Sequence, residues 1–87
     1  MYRIEIARKA QRQLKQLPVF VQERIAEHIF RLGINPRNPA LDIKLLTSDP
    51  EAQYRLRVGN YRVKFNRNDI IHTIQIIRIG HRKEVYK

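Results

Sequence analysis

A turn flanked by two alternating segments constrains the fold more than any other feature of this chain. Residues 54–65, YRLRVGNYRVKF, alternate apolar and mostly basic side chains on both sides of a Gly59-Asn60 pair. Period-2 alternation around such a pair predicts a tight β-hairpin with a two-residue turn. In that register Val58 lies opposite Tyr61, and the apolar parity of both strands forms one core face.

The opposite face of this hairpin carries four cations. In the same register Arg57 faces Arg62, and Arg55 faces Lys64. Like charges directly across a strand pair destabilise a sheet by roughly 0.2–1 kcal/mol each. A plain solvated face also accommodates these residues, but the accumulated repulsion favours a surface that binds an anion.

The charge of the whole chain points in the same direction. Its 87 residues contain 18 Lys and Arg against 8 Asp and Glu, a net charge of +10, which favours polyanionic partners. A chain of this length is expected to form a single domain, residues 1–87, around one modest core. No apolar run reaches the roughly 18–20 residues of a membrane span, and the lack of cysteine suits a reducing cytoplasm. We therefore expect a cytoplasmic protein that does not bind membranes.

Hydrophobic periodicity predicts the elements that precede the hairpin. A short strand at residues 2–6 is followed by two amphipathic helices, Ala7–Leu17 and Val19–Leu32, which meet at Pro18. Residues 41–46 are rich in Leu and Ile and are expected to form a loop packed on the edge of the core. Two such helices must cover a sheet.

The segment after the hairpin predicts a last strand at residues 70–79 that Gly80 ends. Isoleucines occur there at both parities, which is typical of an interior strand covered on both faces, and the first strand is the available partner for its far edge. The prediction is therefore an α+β domain of order β-α-α-β-β-β. Its sheet is mainly antiparallel, and both helices pack on one face.

The hairpin and the tail together resemble a known family. Residues 54–63, YRLRVGNYRV, and residues 80–86, GHRKEVY, resemble the RelE branch of the RelE/ParE toxin superfamily, and the likeness runs along the whole chain. That resemblance implies the toxin of a type II toxin–antitoxin system, an mRNA endoribonuclease that inhibits translation in the ribosomal A site. It further implies a cognate antitoxin, and the net charge of +10 suggests that this partner is acidic.

The resemblance also implies a set of site residues. Those with catalytic roles in the family correspond to Arg55, Arg57, Arg62, Arg82 and Tyr86. The best-known members carry lysine in place of Arg55 and Arg57, and an arginine stays protonated in a protein, so these two are expected to bind phosphate rather than accept a proton. His81 is the only nearby side chain of a type suited to general acid–base catalysis, and it is the sixth catalytic candidate. Lys64 and Lys83 are expected to bind RNA without taking part in the chemistry.

The inventory of side chains favours a metal-independent reaction with no cofactor. Metal-dependent nucleases hold divalent ions with clustered carboxylates, whereas the eight acidic residues here are scattered and the three histidines lack ligand spacing. RNA supplies its own nucleophile, because its 2′-OH can attack the adjacent phosphate. The guanidinium groups are then expected to neutralise the charge that grows on that phosphate, and Tyr86 to stack on or orient a base.

Two other functions stay open on the sequence alone. The sister ParE branch shares the fold but poisons DNA gyrase without cleaving RNA, although the tail formed by residues 80–82 and Tyr86 argues for the nuclease. An inactive basic RNA-binding module would carry the same charge. Growth arrest on expression separates this last alternative from both toxins.

Overall fold

The computed structural model describes residues 1–85, which form a five-stranded sheet and three helices. In chain order the elements are β1 Arg3–Ile6, α1 Arg8–Lys15, α2 Val19–Ile34, β2 Asp42–Leu45, β3 Tyr54–Val58, β4 Tyr61–Asn68, β5 Thr73–His81 and α3 Arg82–Val85. The strand order is β1-β5-β4-β3-β2, with β1 parallel to β5 and all other neighbours antiparallel. The predicted α+β class and mainly antiparallel sheet are confirmed.

Both long helices cover the same face of the sheet, as expected. Pro18 lacks the N–H donor that α1 would need to continue, and its carbonyl oxygen accepts the first backbone bonds of α2, from Val21 and Gln22. The buried side chains of helices, sheet and the segment before β2 form one cluster: Ala10, Val21, Ile25, Ile29, Leu32, Leu41, Leu56, Val58, Val63, Phe65, Ile74, Ile76 and Ile79. Each large apolar side chain buried there contributes about 1.5–3 kcal/mol. The opposite face of the sheet carries the basic side chains of the hairpin.

The hairpin follows the register expected from its sequence. Its cross-strand pairs include Val58 with Tyr61, Arg57 with Arg62, and Arg55 with Lys64. Gly59 has a φ of +59°, a left-handed conformation that glycine adopts without steric penalty. The two-residue turn therefore places the four predicted cations on one face of the sheet.

The last strand, β5, lies between β1 and β4, as predicted, but for a different reason. Ile76 and Arg78 pair with consecutive residues of β4, so Ile77 between them is an extra residue. Such a β-bulge switches the parity of the strand. Ile76 and Ile79, on either side of it, are consequently buried in the same core. Isoleucines at both parities reflect this bulge rather than two covered faces.

The start of β5 differs from the prediction of a strand over residues 70–79. The side chain of Asn68 accepts hydrogen bonds from the backbone N–H groups of Ile70 and Ile71. This turn competes with strand pairing and leaves both isoleucines exposed. The strand begins only at Thr73.

The end of β5 also differs, because Gly80 continues the strand instead of ending it. A Cβ atom at Gly80 would lie 3.0 Å from Cγ2 of Val85. The absence of a side chain there lets α3 fold back against the sheet. The tail within the described residues is thus a short helix packed on β5.

Residues 41–46, predicted to be a loop, contain the edge strand β2. Asp42–Leu45 pairs with residues 54–57 of β3. The strand has only four residues, and the flanking Leu41 and Leu46 obscure its alternation. The sheet consequently has five strands where the sequence indicates four. No helix within residues 1–85 has the length and apolar character needed to cross a membrane.

Candidate functional site

A row of cations occupies the face of the sheet opposite α1 and α2. It comprises Arg55, Arg57, Arg62, Lys64 and Arg78. Arg78 joins the row because it pairs with Lys64 across β4 and β5. Arg78 is not among the residues predicted from the sequence, since the bulge at Ile77 hides its parity.

Two members of this cation row converge at the hairpin turn. Nε of Arg57 donates to the carbonyl oxygen of Gly59 at 3.4 Å, and an Nη of Arg62 donates to the same oxygen at 3.0 Å. Arg62 also donates to the carbonyl oxygen of Tyr61 at 3.0 Å. The Arg57 side chain is 51% exposed. The turn therefore presents two guanidinium groups in a defined orientation, and that of Arg57 is accessible to a ligand.

The edge strand β2 supplies a counter-charge to the row. Arg55 donates to Oδ1 of Asp42 at 3.0 Å and to the carbonyl oxygen of Asp42 at 3.2 Å. The other carboxylate oxygen of Asp42 lies 4.0 Å from Arg57. The Arg55 side chain is only 17% exposed. Asp42 thus fixes Arg55 while leaving Arg57 accessible.

Lys64 and Arg78 are engaged by a loop that folds over the same face. Nζ of Lys64 lies 2.8 Å from Asp49 and 3.3 Å from Glu51, while Arg78 donates to both Glu51 oxygens at 2.6 and 3.1 Å. The hydrogen bond from Lys64 lowers the pKa of Asp49, and that from Arg78 lowers the pKa of Glu51. Glu51 in turn raises the pKa of Arg78.

Lys64 is consequently buried in an ion-pair network, at 5% exposure. From the sequence, this lysine is expected to contact RNA as a surface cation. The folded loop instead surrounds its ammonium group with carboxylates, because two acidic residues that precede the hairpin reach back over the sheet. Contact between Lys64 and RNA would require that loop to open.

The tail returns to the hairpin turn. The backbone N–H of Arg82 donates to the carbonyl oxygen of Asn60 at 2.9 Å, so Arg82 begins α3 directly beside the turn. The side chains of Arg82 and Lys83 are exposed. The predicted Tyr86 lies outside the described residues.

His81 is placed apart from the cation row. It pairs with Tyr61 across the ladder, and the two rings meet edge to face with centroids 5.6 Å apart. Paired residues share a side of the sheet, so His81 lies on the side opposite Arg62. Nδ1 of His81 accepts the backbone N–H of Lys83 at 3.2 Å, which leaves the ring proton of the neutral form on Nε2.

The acidic residues near the site act as counter-ions. Asp42, Asp49 and Glu51 are each ion-paired to a member of the cation row. Within residues 1–85, no group of three or more His, Asp or Glu is arranged to hold a metal ion. What the site offers chemically is oriented positive charge, suited to binding a phosphate and stabilising its transition state.

Comparison with known proteins gives a consistent family. A model described as the ParE toxin of type II toxin–antitoxin system, parDE, matches residues 4–86. The protein named Toxin RelE from Mycobacterium tuberculosis is 33% identical over 86 residues, which cover 99% of this chain and 87% of that protein.

Solved structures share the fold closely. The RelBE2 toxin–antitoxin complex of Mycobacterium tuberculosis matches with a TM-score of 0.79 and 26% identity over 92% of this chain and 96% of that one. The archaeal RelE–RelB complex of Pyrococcus horikoshii matches with a TM-score of 0.80 and 27% identity over 95% of this chain and 97% of that one. The RelB–RelE complex of Methanococcus jannaschii matches with a TM-score of 0.75 and 32% identity over 94% of both chains.

Proposed function

The chain belongs to the RelE/ParE family of type II toxin–antitoxin toxins, on its RelE branch, and from that premise we propose that it cleaves mRNA on the ribosome without a metal ion. The observation that carries this proposal is the convergence of Arg57 and Arg62 on the Gly59 carbonyl oxygen. It sets two guanidinium groups side by side, with Arg82 anchored next to them.

In the proposed reaction, the 2′-oxygen of a ribose attacks the adjacent phosphorus. The 2′-O–P bond forms, the P–O5′ bond breaks, the 2′-hydroxyl loses its proton and the departing 5′-oxygen gains one. Arg57 and Arg62 bind the non-bridging oxygens and neutralise the charge that grows on them, a role worth about 2.7–4 kcal/mol per donor in comparable sites. Arg55, held by Asp42, contributes to the same positive field. In this proposal Tyr86 is the residue that stacks on a base.

The side chains of the cation row are poorly suited to proton transfer. Its arginines stay protonated, and His81 faces Tyr61 on the other side of the sheet. We therefore propose that the ribosome positions the RNA and lends the base, which makes the activity ribosome-dependent. The alternative, in which His81 turns towards the RNA and transfers the proton, predicts that His81→Gln abolishes cleavage.

The proposed partner is a cognate acidic antitoxin. The matched structures of Mycobacterium tuberculosis, Pyrococcus horikoshii and Methanococcus jannaschii are all complexes of a toxin with its antitoxin. For this chain, the net charge of +10 favours an acidic segment laid over the cation row. Such a segment would block access of RNA to Arg57 and Arg62.

The test is cleavage of a defined mRNA in a reconstituted translation system. We expect products that end in a 2′,3′-cyclic phosphate and a 5′-OH, at positions within the reading frame. Because the proposed reaction needs no metal ion, the same products should form when a chelator is added under conditions that leave the ribosome intact. Arg62→Ala is expected to reduce cleavage roughly 100-fold or more with the fold retained, while Arg12→Ala on the exposed side of α1 serves as the matched control. Equal cleavage by both variants would remove the hairpin turn from consideration as the site.

The name of the matched family model keeps gyrase poisoning as a second candidate. Purified DNA gyrase incubated with the chain should show no increase in trapped DNA breaks if the nuclease proposal is right. Trapped breaks together with intact mRNA would assign the chain the other activity.

A further inference from the structure

A groove of about 370 Å³ lies between the hairpin turn and the start of α2. Its walls include Phe20 and Arg24 from α2 and Arg57, Gly59, Asn60 and Tyr61 from the hairpin. Arg57 thus borders both this groove and the proposed catalytic site.

A further arginine, Arg24, reaches the hairpin turn from α2. Its two terminal nitrogens lie 3.8 and 3.9 Å from the position that a Cβ of Gly59 would take. The residue is exposed, and no carboxylate among residues 1–85 lies within 4 Å of its guanidinium group. In contrast to Arg55, which Asp42 neutralises, Arg24 leaves its charge available to a ligand.

Phe20 presents an aromatic ring beside this charge. It lies four residues before Arg24, so both side chains project from the same side of α2. The Phe20 residue is 64% exposed, although neighbouring Val21 is buried in the core. An exposed ring next to a guanidinium group provides the stacking surface and the cation that unpaired nucleotides bind.

We propose that this groove binds a nucleotide flanking the scissile phosphate, with its base on Phe20 and its phosphate on Arg24. The inference rests on the proposed RNA cleavage, and it names a second subsite of the same surface. Charge supports RNA over a protein segment, because the groove lining contains two arginines and no acidic residue. The subsite holds the RNA in register with Arg57 and Arg62, which favours alignment of the 2′-oxygen with the phosphorus.

The test measures binding without cleavage. A fluorescently labelled single-stranded RNA with 2′-O-methyl groups throughout cannot react, so its affinity reports the surface alone. Phe20→Ala is expected to weaken binding roughly tenfold, whereas Phe20→Tyr keeps the affinity because it keeps the ring. Arg24→Gln is expected to reduce the slope of log affinity against log salt by roughly 0.7, the loss of one phosphate contact.

Matched controls distinguish an effect of the groove from the general effect of removing an exposed apolar side chain or a positive charge. Phe30→Ala removes another exposed ring of α2, at 59% exposure, and Arg12→Gln removes a charge from α1. Thermal unfolding monitored by circular dichroism verifies that each variant is folded, and Arg24→Gln keeps the test decisive if Phe20→Ala does not fold. The inference is overturned if wild type shows no affinity for the RNA. It is equally overturned if groove and control variants bind alike, or if the groove variants weaken binding of the antitoxin alone.

The two proposals fail in distinguishable ways. If wild type cleaves mRNA while the groove variants bind and cleave like the controls, the proposed function stands and the subsite is lost. If wild type does not cleave mRNA but its RNA affinity still depends on Phe20 and Arg24, the groove stands as an RNA-binding surface and the proposed reaction is lost.

Discussion

Arg57 and Arg62 face each other across the β3–β4 ladder and donate to the same acceptor, the carbonyl oxygen of Gly59. Two like charges that face each other directly across a strand pair repel each other. The shared oxygen and its partial negative charge offset part of that repulsion and hold both guanidinium groups at the turn. An incoming phosphate would find them already oriented, so less ordering is needed in the transition state.

The geometry at this turn predicts that lysine cannot replace arginine at position 62. One Arg62 Nη nitrogen donates to the Gly59 and Tyr61 carbonyl oxygens at 3.0 Å each, which fixes the plane of the guanidinium group at the turn. A lysine ammonium cannot satisfy both carbonyl oxygens and a phosphate in the same arrangement. Arg62→Lys should therefore reduce cleavage in the translation assay by roughly 10- to 100-fold, about 1.4–2.7 kcal/mol.

Arg12→Lys on α1 is the control for this conservative change and should cleave like wild type. Because both substitutions keep the net charge, long-range attraction of RNA is unchanged. Full activity of Arg62→Lys would show that charge alone, and not the oriented guanidinium group, is what the turn provides.

Glu51 is predicted to stabilise the fold through two cations at once. It accepts hydrogen bonds from Lys64 and Arg78, and Lys64 is nearly inaccessible to solvent. Glu51→Gln should lower the free energy of unfolding by about 1–3 kcal/mol in urea titrations. The value lies below the roughly 3–5 kcal/mol of a fully buried pair, because the Glu51 side chain is 32% exposed. Glu27→Gln, exposed on α2, should change it by less than about 0.5 kcal/mol; equal effects would contradict the prediction.

Local pattern accounts for what the sequence reveals about this molecule. Residues 54–65 specify their strands, turn and facing pairs within one short segment, because alternation and a Gly-Asn turn act over short range. The helix pair follows equally from a stripe of apolar residues and Pro18. For the same reason, the alternation alone is enough to predict that Arg57 and Arg62 share one face.

Long-range pairing accounts for what the sequence conceals. Glu51 meets Lys64 from 13 residues away and Arg78 from 27, and nothing in the pattern of residues 46–53 indicates which cations the loop will cover. The edge strand β2 forms because β3 offers a free edge, a property of the folded sheet. The ring of His81 turns towards Tyr61 through a register that depends on the bulge at Ile77.

Acid is predicted to weaken the fold through Asp49 and Glu51. Their pKa values in the folded state lie below the ordinary 3.8 and 4.5, so the unfolded chain binds protons more readily than the folded one. The stabilisation is therefore complete above about pH 5 and is lost as the pH falls through the folded-state pKa values. Urea midpoints measured from about pH 7 to about pH 2.5 should decline more steeply in wild type than in Glu51→Gln. Parallel curves would indicate that other carboxylates govern acid unfolding.

Gly80 is predicted to control the position of the tail helix. A methyl group at this position would lie 3.0 Å from Cγ2 of Val85, so Gly80→Ala requires α3 to shift by a few tenths of an ångström, and Gly80→Val by more. The shift strains the hydrogen bond from the backbone N–H of Arg82 to the Asn60 carbonyl oxygen. This hydrogen bond positions the tail beside the hairpin turn. In the translation assay, Gly80→Ala should lower cleavage several-fold and Gly80→Val further. In a Val85→Ala background, Gly80→Ala should lower cleavage less than it does in wild type, because the Cγ2 methyl group of Val85 is then absent. An equal loss in both backgrounds, or full activity of Gly80→Val, would show that α3 does not have to rest on the sheet for cleavage.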